Sequence, residues 1–175
     1  MHSHEHESVW CLLAIGIDPD RSNPELYSLI LHGEHDTPLL DGDRIVCFTD
    51  PGCASDLIRQ YGGGSEADRI DVSVPLYWCD IASTLHLLES PGYDESASVL
   101  DTVNVLLELV KATGLTISCE HRAALHALAD YCTLNKDLMP YFEEESDYSR
   151  RQCIDAVLWS VGAVVAKARI VSHGT

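Results

Sequence analysis

The sequence predicts an α+β fold: a mainly antiparallel N-terminal sheet of about four strands with two helices, followed by a helical C-terminal half. Two observations carry that expectation. Before residue 90, short apolar runs alternate with Asp, Gly and Pro turn signals, the punctuation of strands and tight connections. After Ser90-Pro91-Gly92, apolar residues recur every three or four positions, as on helices that bury one face. A chain of 175 residues with 46% hydrophobic content buries about 70% of its unfolded surface, so residues 8–175 read as one globular domain. Its α/β half is 8–90 and its helical half 94–172, after a flexible His/Glu leader at 1–7.

Taken in order, Val9–Ile17 is a continuous apolar run ended by Asp18-Pro19-Asp20, too short for a comfortable helix and suited to a buried strand. Leu26–Leu31 follows, with His32-Gly-Glu-His-Asp36 as a hairpin turn. Asp41-Gly42-Asp43 marks another turn before the strand Arg44–Phe48. Asp50-Pro51 opens a helix, because Asp caps and Pro tolerates the first turn; Ala54, Leu57, Ile58 and Tyr61 line it and Gly62-Gly-Gly64 stops it. The next strand spans Ile70–Cys79, where Pro75 argues for an edge or a bulge, and Asp80 caps the helix after it. In the helical half, Asp94 or Ser96 opens a helix with the stripe Val99, Val103, Leu106, Leu107 and Val110, closed by Gly114. Ser118 caps a helix with Leu125, Leu128 and Cys132 inward. The longest helix runs from Tyr148 to about Val171, with Trp159, Ala163 and Ile170 off its main apolar row. Those three residues need a second cover. Either a second copy supplies it, making a homodimer through the helical half, or this helix is central and its neighbours surround it.

Twenty-eight Asp and Glu against 11 Lys and Arg leave a net charge of −17. Such a surface repels phosphate backbones and anionic lipids, which excludes nucleic-acid and membrane-surface binding; it keeps the chain soluble, and the sharper reading is steering towards a basic protein partner. No apolar run approaches the roughly 20 residues of a membrane span, and Met1–Glu7 lacks the basic and apolar regions of a secretory signal. The seven cysteines sit mostly among apolar neighbours and are odd in number, which points to reduced thiols and a cytoplasmic protein.

Catalytic and metal-binding signals are sparse. Cys53 lies near a helix N-terminus, where unpaired amides can stabilise a thiolate, and His32, His35 or His86 could serve it as a base. Its flanking Asp50 and Asp56 oppose that ionisation, and no Cys-x-x-Cys is present. His2, His4 and His6 interleave with Glu5 and Glu7 as a weak metal hook, but the amino-terminal copper motif requires histidine third rather than second. His121 and His126 are five apart and share no helix face. His32 and His35 with Asp36, Asp18 or Asp20 could hold a metal, although turn chemistry is the simpler reading of these residues, as it is of Asp41 and Asp43. Gly62-Gly-Gly64 lacks the Lys and Ser or Thr of a phosphate cradle. The expected function is a non-catalytic cytoplasmic interaction or regulatory module, an inhibitor or adaptor of a basic protein, with no cofactor. The alternatives are a thiol enzyme using Cys53 and a metal-handling protein using the N-terminal histidines.

Overall fold

A computed structural model describes residues 8–18, 20–21, 23–62, 69–92, 95–144 and 147–172. The apolar run at the start becomes β1 (Val9–Gly16), buried along almost its whole length. It lies between two strands: β2 (Leu26–His32), antiparallel, and β6 (Arg69–Asp80), parallel. Both of its faces are covered, which is why its sequence is continuously apolar instead of alternating. Trp10 and Leu12 face a core shared with Leu29, Phe48, Cys53 and Leu57; Leu13 and Ile15 face the opposite core with Ile30, Cys47 and the helical half.

The four expected strands are present, and the sheet is larger than expected. Two-residue strands β3 (Thr37–Pro38), on β2, and β4 (Leu40–Asp41), on β5 (Arg44–Phe48), are added, and β7 (Ala168–Val171) returns from the far end of the chain. The order β4-β5-β2-β1-β6, with β3 on β2 and β7 on β5, makes a seven-stranded mixed sheet in place of the four-stranded, mainly antiparallel one. Its parallel pairs, β1–β6 and β5–β7, join segments distant in sequence, so no local turn signal announces them.

Asp50 accepts the Gly52 amide and caps a 3₁₀ turn, Pro51–Cys53, that leads into α1 (Ala54–Tyr61). The turn at Asp41-Gly42-Asp43 forms as expected, with Gly42 at φ +65°, which glycine adopts without steric cost. Asp80 accepts the Ser83 amide and starts α2 (Ile81–Glu89). Next come α3 (Ser96–Ala112), α4 (Cys119–Leu134), α5 (Met139–Glu144), which the periodicity did not reveal, and α6 (Asp147–Lys167). Of the two residues expected to open α3, Ser96 is its first residue and Asp94 lies outside the described residues. Helices α2, α3, α4 and α6 build the large core on one sheet face, and α1 closes the smaller core on the other.

The long C-terminal helix stops at Lys167, four residues short of its expected end. Ala168–Val171 instead pairs parallel with Ile45–Phe48, a conformation that suits the β-branched Ile170 and Val171. Lys167 pairs with Asp43 and Arg169 with Asp41, so the acids of the Asp-Gly-Asp turn hold the chain where helix becomes strand. The other expectation for α6, burial on all sides, does not hold: Trp159 is 66% exposed, with Leu158 and Val165 beside it in solvent. No helix among the described residues is long and apolar enough to cross a membrane.

Candidate functional site

A concave site with polar and apolar walls lies beside the outer edge of β6. The β1–β6 ladder slips twice. Cys11 pairs with Asp71, Leu12 with Pro75 and Leu13 with Tyr77 before a regular register resumes to Gly16–Asp80. Pro75 has no amide to donate, so residues 72–74 arch out of the ladder at that point. The bulge leaves Val74 69% and Leu76 61% exposed, with Trp78 at 47% just beyond. As the sequence suggested for Pro75, β6 is both bulged and at the edge of the sheet.

Helix α3 runs along this edge and is fastened to it at one point. Thr102, fully buried, accepts the Asp80 amide at 3.0 Å and returns its hydroxyl to the Asp80 carbonyl at 3.4 Å. Asp101, Asn104, Val105 and Glu108 share one face of α3, at the i, i+3, i+4, i+7 spacing, and that face looks onto a groove of about 310 Å³. Leu76, Tyr77 and Trp78 form its other wall, and Ile30 and Asp36 close it.

Every charged residue lining the groove is acidic: Asp36, Asp101 and Glu108. Asp36 accepts the Tyr77 hydroxyl at 2.6 Å and stands 2.8 Å from Nδ1 of His32, which is also 2.7 Å from the Tyr77 oxygen. Burial and the bond to Asp36 push the Tyr77 phenol well above its ordinary pKa, so it stays a donor. Burial raises the Asp101 carboxyl, and none of the described side chains pairs with it. Glu108 meets Lys111 at 3.3 Å, a largely exposed contact of the kind that contributes about 1 kcal/mol or less.

The residues singled out in the sequence are scattered. Cys53 is buried on the α1 side of the sheet and donates to the Asp50 carbonyl at 2.8 Å; burial first, then Asp50, raises its pKa. His32 extends from β2 on the helical side, in step with Ile30, and His86 is exposed on α2, so the sheet separates both from Cys53. His35 is exposed in its turn. Asp18 accepts the Asp20 amide and pairs with Arg21, which is turn chemistry. His121 stacks on Trp159 with ring centroids 6.2 Å apart, while His126 is exposed. No three His, Cys, Asp or Glu side chains converge on a metal-sized space among the described residues. His2, His4 and His6 lie outside the described residues. Sequence reading missed Tyr77, Asp101 and Glu108; the polar stripe opposite the apolar row of α3 was the one local signal for Asp101 and Glu108.

A second apolar surface lies on α6. Leu158, Trp159, Gly162 and Ala166, together with Leu115 and Ile117, outline an open groove of about 500 Å³ that no titratable side chain lines.

No protein-family model matches the chain, and no curated protein sequence is significantly similar to it. In overall fold it resembles the crystal structure of the SatS C-terminal domain in complex with bromine, with a TM-score of 0.51. The match covers 93% of this chain and 94% of that one at 11% identity. At that identity the likeness concerns the fold alone.

Proposed function

We propose that this protein is a non-catalytic cytoplasmic interaction module, an inhibitor or adaptor, that receives a basic segment of a partner protein in the groove between β6 and α3. One observation carries the reading: an apolar groove whose charged lining is wholly acidic, in a chain with 28 acids and 11 Lys and Arg. Apolar walls supply contact area and the carboxylates select a cationic occupant. The absence of disulfides among the seven cysteines supports the compartment. The thiol-enzyme alternative finds no comparable support, since Cys53 has a raised pKa and stands across the sheet from His32 and His86, and the metal-handling alternative rests on His2, His4 and His6, outside the described residues.

Calorimetry with a synthetic peptide of about ten residues, alternating Lys and Val, tests the reading against its Glu-Val counterpart. The Lys peptide binds, the Glu peptide does not, and Asp101→Asn with Glu108→Gln weakens binding more than Glu120→Gln with Asp130→Asn on α4. Equal loss in the two double variants, or no binding of the Lys peptide, overturns the groove as the site.

The apolar face of α6 favours self-association as well. Two copies carrying −17 each repel one another over most of their surface, but an uncharged stripe lets them meet without opposing carboxylates. Two-fold packing would set Trp159 of one copy against the small Gly162–Ala166 segment of the other. Light scattering decides this: a constant 19.3 kDa across micromolar concentrations rejects the dimer.

A further inference from the structure

Resting on that reading, we infer that the bound segment is extended and adds to the sheet as a strand on the outer edge of β6, alternating basic and apolar side chains. The edge is open where the groove lies. β6 is the last strand in the sheet order, and among the described residues β1 alone pairs with it. Proteins blunt such edges with charge, proline and bulges. Here those devices guard the first part of the strand: the Arg69–Asp71 ion pair at 2.8 Å, the arch at 72–74 and Pro75. From Tyr77 to Cys79 the ladder with β1 is regular and its outer side carries none of them.

The bond to Thr102 fixes which backbone groups face outward. Both the amide and the carbonyl of Asp80 turn to the Thr102 hydroxyl on α3, so the outer side of the strand at Asp80 is occupied. A strand repeats its backbone orientation every second residue, so Trp78 presents its N–H and C=O on that same side. There the groove opens between β6 and the Asp101–Glu108 face of α3. An arriving strand would take the place at Trp78 that the Thr102 hydroxyl takes at Asp80.

The pleat then dictates the occupant. Tyr77 and Cys79 point to the helical side of the sheet and Trp78 to the other. Alternate side chains of an added strand therefore fall beneath α3, among Asp36, Asp101 and Glu108, where a Lys or Arg is matched. The intervening ones fall beside exposed Trp78, where apolar groups are matched. The partial desolvation of Asp101, with no cation among the described residues to offset it, adds to the preference for a basic side chain.

The test repeats the alternating Lys-Val peptide in two N-methylated forms, one methylated at every Lys and one at every Val. N-methylation removes the amides along one edge of a strand and leaves side chains and charge unchanged. Strand addition expects one form to bind about tenfold or more weakly and the other to match the unmodified peptide, since the lost hydrogen bonds lie on one edge. If both forms bind as the unmodified peptide does, or both weaken equally, strand addition is overturned and the acidic groove stands. If the unmodified peptide itself fails to bind, the groove reading falls with it.

Discussion

The groove beside β6 and the outer face of α6 are both apolar, both exposed and both built by a helix with one stripe to spare. They differ in what surrounds the hydrocarbon. Asp36, Asp101 and Glu108 ring the first, whereas no titratable group lines the second. In a neutral protein the two surfaces would compete for similar partners. In a chain of net charge −17, a few carboxylates would, under the proposed function, sort them: the acid-lined groove would reject another copy of the protein and draw a cation, and the uncharged face would be where two copies approach. Exposed apolar area marks a surface for contact, and nearby charge selects what makes the contact.

The largest expected effect breaks the groove side of this comparison. Asp101→Lys with Glu108→Lys should weaken the Lys-Val peptide about a hundredfold or more, since two attractive contacts become repulsive. Trp159→Glu should leave that affinity unchanged in the same calorimetric titration. Equal losses in the two proteins would mean that charge anywhere on the surface, and not the groove, governs binding.

Next in size is the fastening of α3 to β6. Thr102→Val removes the hydroxyl that serves the Asp80 backbone and leaves a buried amide without its partner, at a cost of about 1–3 kcal/mol. Urea denaturation would register it as a lower midpoint, and peptide binding should fall with it as the groove walls separate. Unchanged peptide affinity in the folded variant would show that the walls hold without this bond.

A pH series separates loss of a site from loss of the fold. Burial raises the Cys47 thiol to about 11 and the Cys79 and Cys132 thiols to about 12. An unfolded thiol ionises near 8.5–9, so above that pH only the unfolded state gives up its protons. The stability these thiols contribute is fully present below pH 9 and is lost progressively as pH rises towards about 11–12. Denaturation midpoints measured from pH 7 to 11 should decline above 9. A flat profile would mean that the buried thiols ionise as freely as exposed ones.

The smallest effects sharpen the contrast through salt. Raising salt from about 50 to 300 mM should weaken peptide binding in the groove and strengthen self-association through α6, because screening removes attraction in one case and repulsion in the other. Trp159→Glu should hold the mass at 19.3 kDa while shifting stability by no more than about 0.5 kcal/mol, as the side chain is two-thirds exposed. Salt responses of the same sign at both surfaces would dissolve the distinction between them.

Local chemistry was legible in the sequence wherever a few neighbouring residues decide it. Asp80 and Ser118 cap the helices they were expected to cap, Asp50 caps the 3₁₀ turn that leads into α1, Gly42 and Gly114 adopt positive φ at their turns, and Pro75 sits at a bulge on an edge. Each depends on a side chain reaching a backbone group a few positions away, or on a φ that one residue type permits, so neighbours suffice. The site was not legible in that way. Asp36 and Tyr77 are 41 residues apart and Asp80 and Thr102 are 22 apart, and their bonds exist because β6 lies parallel to β1 beneath α3. The C-terminal strand makes the same point. Ala168 and Val171 continued the helical spacing of α6, yet the free edge of β5, with Asp41 and Asp43 beside it, drew them into the sheet. Sequence alone thus determined the longer elements before residue 168, their caps and the acidity of the surface, through interactions that span one turn of chain. Tertiary structure decided which strands are edges and which carboxylates share a groove, because those are set by burial of two cores that bring distant segments together.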